Sequence, residues 1–278
     1  MKHLTKTILV LSLLFLSKNV VAQTSENEYQ LTYSNKGKLY FYWGWNKSIY
    51  SRSNIHFTGN DYNFTLDKVK ATDAPYPLSW DYIHPKRMTI PQYNFRIGYF
   101  FKDNWSISFG NDHMKYVVVN GKNTKISGNI NIDGSPYEGS YDNESINISP
   151  DFLKFEHTDG LNYENIELRH FSTLAENGKL RLQLIEGVGA GILLPKTNST
   201  LLGMERNDEF HFSGFGASAV IGLQADYKGG FFIQAEAKGG YVNMYDIVTT
   251  KHKADRASQS FFFFQYNIVF GYKFQLIN

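Results

Sequence analysis

The chain has 278 residues, a formal net charge of +2 at pH 7 and no cysteine, and 16% of its residues are aromatic. The lack of cysteine excludes disulfides and thiolate metal sites, and the small net charge gives no support to nucleic-acid binding. After the N-terminal segment no run of 18 apolar residues occurs, so helices that span a membrane are not expected.

The first 22 residues are predicted to be a secretory signal peptide. Basic side chains lie within residues 2–6, residues 8–16 are apolar, and small residues precede a cleavage site ahead of residue 23. The alternative is a membrane anchor helix, but so short an apolar run cannot cross about 30 Å of hydrocarbon. Residues 23–36 are then a polar lead, and residues 37–278 form one domain.

The first β-strands are predicted where apolar residues alternate with a second set, a period of two. Strand one places Leu39, Phe41, Trp43 and Trp45 on one face. Residues 91–101 and 105–112 repeat the pattern on either side of a tight turn at residues 102–104, and they are predicted to form a hairpin.

Two long polar segments separate these strands from their neighbours. Residues 46–90 and 120–160 are rich in Asn, Asp, Gly or Pro and are predicted as long outer loops. Short β-like runs indicate that both loops have some structure of their own. The runs are residues 55–57, 62–66, 130–132 and 146–148, and the last two suggest a small hairpin above the main strands.

Strand four, about residues 161–173, has the weakest pattern. Ile166 and Leu168 share one face, but Leu161 and Tyr163 have the opposite parity. A bulge near Glu164 is predicted to reconcile the two halves, because an extra residue reverses the parity of everything beyond it.

Three further strands are predicted at residues 179–192, 214–225 and 231–238, with short turns at 175–178 and 228–230. Alternate residues in each strand are apolar. Glu186 falls on the apolar face of the first of these strands, and the pattern does not explain it. A loop at residues 194–209 and a last loop at about 244–258 complete this half of the chain.

The last strand, residues 261–274, has the strongest alternation. One face is polar or small, and the other is apolar or aromatic at every position: Phe262, Phe264, Tyr266, Ile268, Phe270, Tyr272 and Phe274. A strand whose outer face meets lipid and whose inner face lines a barrel has this composition. The strand resembles the C-terminal strand that closes bacterial outer-membrane β-barrels.

The whole pattern predicts an all-β fold: one eight-stranded antiparallel transmembrane β-barrel, an up-and-down meander. Short and long connections alternate, as do the short periplasmic turns and long extracellular loops of outer-membrane barrels. The expected location is therefore the cell outer membrane, with the lead, residues 23–36, in the periplasm. The expected surroundings are outer-membrane lipid and lipopolysaccharide, and the protein is expected to be a monomer.

Several segments carry a resemblance to a known family: YFYWGWNKS, IPQYNFRIGYFFKDNWSISFGNDHMKY, DFLKFEHTDGLNY, EGVGAGILLPKTN and FFFFQYNIVFGYKF. They resemble a family of small outer-membrane barrel proteins from Bacteroidetes-type bacteria. The resemblance implies location and fold and no reaction. For the C-terminal strand, the resemblance to closing strands implies recognition by the barrel-assembly machinery.

The inward-facing residues include charges of both signs, and inward charges need partners. The predicted plug of ion pairs consists of Arg96, Asp112, Glu167, Arg169, Arg181, Glu236 and Lys238. An eight-stranded barrel is only wide enough for side chains to fill it, which favours a plug. The alternative is a narrow path for protons or ions.

A belt of aromatic residues is predicted at the membrane interface, where Trp and Tyr are enriched. Its members are Trp43, Trp45, Trp105, Phe262, Phe264, Tyr272 and Phe274.

His211 and Ser213 are the catalytic candidates, because they share an outward parity at the external rim. The pair resembles the lipid A 3-O-deacylase barrels, which imply His as base and Ser as nucleophile. Gly214 stands where that family has Asn, and no carboxylate of matching parity is expected in the adjoining strands. His170 and Ser172 repeat the spacing, but beside a periplasmic turn.

The functional expectation is a structural or loop-mediated interaction role without catalysis. A lipid-modifying enzyme and a narrow channel are the alternatives. The acidic and Asn-rich loop pieces contain no twelve-residue calcium loop, and neither a metal nor a cofactor is expected.

Overall fold

The computed structural model describes residues 34–77, 79–205, 207–228 and 230–275. The predicted signal peptide and nearly all of the predicted lead lie outside the described residues. Every element below belongs to the unit formed by residues 35–278. No helix among the described residues is both long enough and apolar enough to cross a membrane.

The described residues form fourteen β-strands and one 3-10 turn, Trp80–Tyr82. In chain order the strands are β1 (Lys38–Tyr50), β2 (Ser53–Thr58), β3 (Tyr62–Val69), β4 (Ala71–Thr72), β5 (Tyr93–Lys102), β6 (Trp105–Val118), β7 (Asn123–Ile130), β8 (Gly139–Asn147), β9 (Leu153–Asn177), β10 (Leu180–Pro195), β11 (Asn198–Leu201), β12 (Gly214–Tyr227), β13 (Phe231–Val248) and β14 (Arg256–Gln275).

Eight of the described strands close into an antiparallel ring, in the order β1-β5-β6-β9-β10-β12-β13-β14. Closure comes from β1 and β14, which pair without a break from Lys38 opposite Gln275 to Tyr50 opposite Phe263. The predicted meander of eight ring strands and its three short turns are confirmed. We call the end of the ring that carries these turns the turn end, and the opposite end the loop end.

The remaining strands lie at the loop end and make the molecule more than a simple barrel. Beyond the part of β14 that pairs with β1, β14 pairs with β2, and the sheet continues through β3 and β7 to β8. Short strands β4 and β11 add to β6 and β9. The predicted last loop at 244–258 is wrong in extent, because β13 and β14 continue into it and leave residues 249–255 between them.

The bulge predicted near Glu164 is also wrong. β9 pairs with β10 in continuous register from Leu161 to Thr173, and the register shift falls farther along, opposite Leu182 and Gln183. Leu161 and Tyr163 simply face the interior, where both are 0% exposed. The prediction assumed that apolar side chains face outward, which fails where the interior itself is apolar.

The interior is layered. A large apolar core fills the loop end, and it includes Phe57, Phe64, Ile126, Phe155 and Phe261. A second, smaller apolar cluster lies toward the turn end. Its members are Tyr40, Tyr42, Phe100, Phe171, Ile185, Phe232 and Val269.

Candidate functional site

A network of buried charges lies inside the ring between these apolar layers. We call it the lumen cluster, and it consists of Arg96, Asp112, Glu167, Arg169, Glu236 and Lys238. Glu167 is its centre: one carboxylate oxygen lies 2.9 Å from Arg96 Nη2 and 2.7 Å from Lys238 Nζ, and the other lies 2.6 Å from Arg169 Nε. Lys238 also contacts Asp112, and Arg169 Nη1 lies 2.8 Å from Glu236.

Strand alternation brings these residues together, because all of them sit on inward positions of four ring strands, β5, β6, β9 and β13. Three cations face three anions, and no member is more than 5% exposed. The hydroxyl of Tyr42 accepts hydrogen bonds from Arg96 Nε and Arg169 Nη2, each 3.0 Å long. The cluster is therefore charge-balanced and cross-linked, as a stable buried network must be.

Arg181, which the sequence placed in the same plug, belongs to a second group near the turn end. Its guanidinium lies 2.9 Å from Asp226, and Lys273 Nζ lies at the same distance from that carboxylate. Lys273 also stands 5.2 Å from the centre of the Phe100 ring, within the smaller apolar cluster. Sequence reasoning missed Asp226, although its parity with Gln224 on β12 could have identified it.

The outward face of the ring is an apolar belt. All alternate residues of β14 from Phe262 to Phe274 point away from the interior, and Phe262 is 64% exposed. Other strands contribute exposed side chains of the same kind: Phe41, Ile97, Ile107, Phe109, Ile166, Leu168, Leu182, Val188, Phe215, Ile221, Leu223, Phe231 and Ile233.

The three predicted interface tryptophans, Trp43, Trp45 and Trp105, are half-buried on this outward face. Trp43 stacks on Tyr93 with ring centres 4.5 Å apart, and Tyr93 stacks in turn on His113 at 4.9 Å. These three stacked rings lie on three neighbouring strands. The sequence does not predict the stack, because the alternation within one strand carries no information on the register between strands.

The sequence predicts no carboxylate partner for His211 in the adjoining strands, and this prediction is wrong. His211 Nε2 lies 2.8 Å from Asp246 Oδ2, and Arg256 Nε lies 2.9 Å from the other oxygen. β13 continues past the predicted strand end, and its register shifts after Met244, which brings Asp246 beside His211. The main-chain oxygen of Ser213 accepts hydrogen bonds from the amides of Tyr245 and Asp246 and fixes this approach.

Ser213 is not placed to be activated by that histidine. Its side chain is 0% exposed, and its hydroxyl donates to the main-chain oxygen of His211 at 3.4 Å. Among the described residues no hydrogen bond joins Ser213 Oγ to the imidazole. The rim therefore carries an oriented imidazole–carboxylate pair, but Ser213 does not serve as a nucleophile within reach of that pair.

A metal site is equally unsupported in the part of the chain that the structure describes. No group of three or more His, Asp or Glu side chains there could hold a metal ion.

No family model and no curated protein matches this sequence. The chain is similar to the outer membrane protein OprG from Pseudomonas aeruginosa, with 10% identity, a TM-score of 0.42 and coverage of 87% of this chain and 98% of that chain. It is similar to the N-terminal β-barrel domain of Pseudomonas aeruginosa OprF, with 10% identity, a TM-score of 0.32 and coverage of 86% and 98%. Ail, the attachment invasion locus protein of Yersinia pestis, matches with 12% identity, a TM-score of 0.29 and coverage of 86% and 99%.

The arrangement of the two faces shows where the chain resides. A closed antiparallel ring satisfies every backbone group of its wall, and here the wall is apolar outside and charged within. A lipid bilayer admits strands only in this form. The protein is an integral β-barrel of the outer membrane.

Proposed function

We propose that the protein is a non-catalytic outer-membrane anchor that presents its loop-end strands to an external partner. The turn end faces the periplasm and the loop end faces the outside, as in other outer-membrane barrels. The observation that carries the proposal is that side chains fill the interior of the ring, whereas an additional sheet extends from its loop end. Such a fold provides a surface for contact rather than a passage.

The filled interior argues against the channel alternative. An ion moving along the ring axis would meet the apolar loop-end core, then the balanced lumen cluster, then the smaller apolar cluster. Each layer would have to be displaced, and separating the buried charges of the lumen cluster is costly. Deacylation of lipid is not expected either, since the Ser213 hydroxyl bonds a main-chain oxygen.

The projecting sheet offers an edge for recognition. β8 ends the strand path, its side chains are mostly exposed, and in the described chain it pairs only with β7. An unpaired strand edge can accept an extended segment of another protein through main-chain hydrogen bonds. We propose β8 as the contact strand of the external partner.

The remaining parts of the proposal concern the membrane setting. The apolar belt contacts lipid and lipopolysaccharide, the last strand is the segment recognised by the barrel-assembly machinery, and the protein acts as a monomer. The Bacteroidetes-type resemblance of the sequence is consistent with such an anchor.

The interaction role is tested by removing the edge and keeping the barrel. In one variant residues 123–147 are replaced by Asn-Gly, and both proteins are reconstituted in nanodiscs and exposed to an array of extracellular proteins. We expect the parent to bind at least one protein on the array and the variant to bind none, while both retain heat-modifiable gel migration. Equal binding by the two proteins, or no binding by the parent, would contradict the proposal.

The channel alternative is tested in planar bilayers. We expect no steady single-channel conductance from the intact protein, because apolar layers and the lumen cluster fill the described part of the ring interior. Reproducible steps of constant size would overturn this reading and favour a pore.

A further inference from the structure

Glu186 is a carboxylate on the outward face of β10, among residues that contact lipid. Its neighbours of the same parity, Leu184 and Val188, are apolar, and the Glu186 side chain is 57% exposed. A charged group that faces a bilayer is unfavourable unless a donor or a cation meets it. The lumen cluster does not use Glu186, and neither does the external sheet.

His170 stands directly across from Glu186 in the β9–β10 pairing. Its Nδ1 lies 4.0 Å from the Glu186 carboxylate and 3.4 Å from the hydroxyl oxygen of Ser172. Its Nε2 accepts a hydrogen bond from the side-chain nitrogen Nδ2 of Asn104 at 3.0 Å. Because both ring nitrogens have neighbours, the imidazole is held in one orientation on the outward face.

Trp105 locates this set of side chains within the membrane. Its ring lies 4.8 Å from the His170 ring, and it is the first residue of β6, directly after the turn at residues 103–104. Trp side chains favour the headgroup level of a bilayer. With the turn end in the periplasm, the set lies in the inner-leaflet half of the apolar belt, and the lipids of this leaflet are glycerophospholipids.

A groove of about 470 Å³ opens on the outward face at the same place. Glu186, His170 and Trp105 line it together with the apolar side chains Leu168, Val188 and Ile221. Leu168 and Val188 lie two residues farther from the turn end than His170 and Glu186, on the side of the bilayer centre. The groove therefore combines a polar part with an apolar part that lies nearer the bilayer centre.

We propose that this groove binds one glycerophospholipid whose headgroup carries a primary ammonium, as in phosphatidylethanolamine. The ammonium pairs with Glu186, the phosphate accepts a hydrogen bond from the Ser172 hydroxyl and faces His170, and an acyl chain packs on Leu168, Val188 and Ile221. The charges match in this sense, because the exposed carboxylate pairs with a cation. The Ser172 hydroxyl can accept from His170 Nδ1–H and still donate to the phosphate. The site goes beyond the proposed function, since it is at the opposite end of the ring from β8.

The test is lipid selectivity measured by native mass spectrometry. The protein is reconstituted in nanodiscs of equimolar phosphatidylethanolamine and phosphatidylglycerol and then released, and the lipids that stay bound are counted. We expect the parent to retain one phosphatidylethanolamine in preference to phosphatidylglycerol. Glu186→Gln should reduce that preference by about tenfold, the equivalent of one charge-assisted hydrogen bond.

The matched control is Glu176→Gln, which removes the same charge from the exposed end of the β9–β10 hairpin and should leave the preference unchanged. Glu186→Asp keeps a carboxylate and should keep most of the preference. Heat-modifiable migration verifies that every variant is folded. The proposal is overturned if the parent shows no preference, if Glu186→Gln retains it in full, or if Glu176→Gln loses it equally.

Discussion

The level of the lumen cluster and the loop end of this barrel have different inward and outward faces, and β14 shows both arrangements within one strand. At the level of the lumen cluster its outward residues are aromatic or aliphatic, and inward Gln265 and Asn267, opposite Lys238 and Glu236, are buried and polar. Toward the loop end the inward residues Ala257 and Phe261 are buried and apolar, whereas outward Ser258 is polar and half-buried. The surroundings decide which face is apolar: lipid around the turn half, water around the loop half.

The buried centres of the two halves differ accordingly. The lumen cluster is a set of compensated charges, whose removal leaves unpaired partners. The loop-end core is apolar, and its removal leaves a cavity. Matched substitutions in the two regions should therefore fail in different ways and by different amounts.

The largest effect is expected from Glu167→Ala. This change leaves Arg96, Arg169 and Lys238 facing one another without the carboxylate that contacts all three. We expect the free energy of unfolding to fall by about 3–5 kcal/mol. The measurement is urea unfolding in lipid vesicles, followed by tryptophan fluorescence. Glu176→Gln, at an exposed position, is the control, and a loss below about 1 kcal/mol would mean that the cluster behaves like surface ion pairs.

A smaller effect is expected from pH at His157, which is buried against the loop-end core residues Phe155 and Tyr116. Burial lowers the pKa of His157 to about 3, well below its ordinary value. The unfolded chain therefore takes up the proton first as the pH falls. The contribution to stability is complete above about pH 6.5 and declines by about 1.4 kcal/mol per pH unit below that, toward pH 3.

The measurement for His157 compares the free energy of unfolding at pH 7 and pH 5 in the parent and in His157→Gln. The glutamine amide does not titrate, so the parent should lose about 2 kcal/mol more than the variant over this interval. The same pH dependence in both proteins would show that His157 is hydrated and not part of a dry core.

The smallest effect is expected from removing a single methylene group in each region. Ile126, 0% exposed, packs in the loop-end core, and Ile97, 47% exposed, faces outward. Ile126→Val should cost about 0.5–1.5 kcal/mol because the core cannot fill the void. Ile97→Val should change stability by less than about 0.5 kcal/mol, since lipid adjusts to the shorter side chain. Unfolding in the same vesicles compares the two, and equal losses would argue against a lipid-facing Ile97.

The sequence predicted the ring because alternation has a period of two wherever one face meets lipid. The residues of the lumen cluster were visible as inward charges among outward apolar residues, for example Glu167 between Ile166 and Leu168. Three features were not predicted from the sequence, and one physical reason explains all three. Leu161, Tyr163 and the extension of β13 lie near the loop end, where apolar side chains face inward and not outward. The pattern therefore predicted a bulge at Leu161 and Tyr163 and a loop in place of the end of β13.

The pairing of His211 with Asp246 was hidden differently. It depends on a register shift in β13 and on two amides that bond Ser213, and neither leaves a trace in the alternation. The partner of Glu186 was hidden in the same way, because His170 faces it only through the register of β9 and β10.

The position of β14 has a consequence for how the chain reaches this structure. The strand pairs with β1 along the ring and with β2 beyond it, so the last strand joins both the membrane ring and the external sheet to the first strands. Until it is in place β1 and β2 lack that neighbour, and the contacts that complete the fold are the most distant in sequence. Bringing such ends together costs chain entropy before any contact is gained, and folds of this kind form slowly. Ring closure and attachment of the external sheet should consequently occur as one late event, and a chain cut before residue 256 would retain neither.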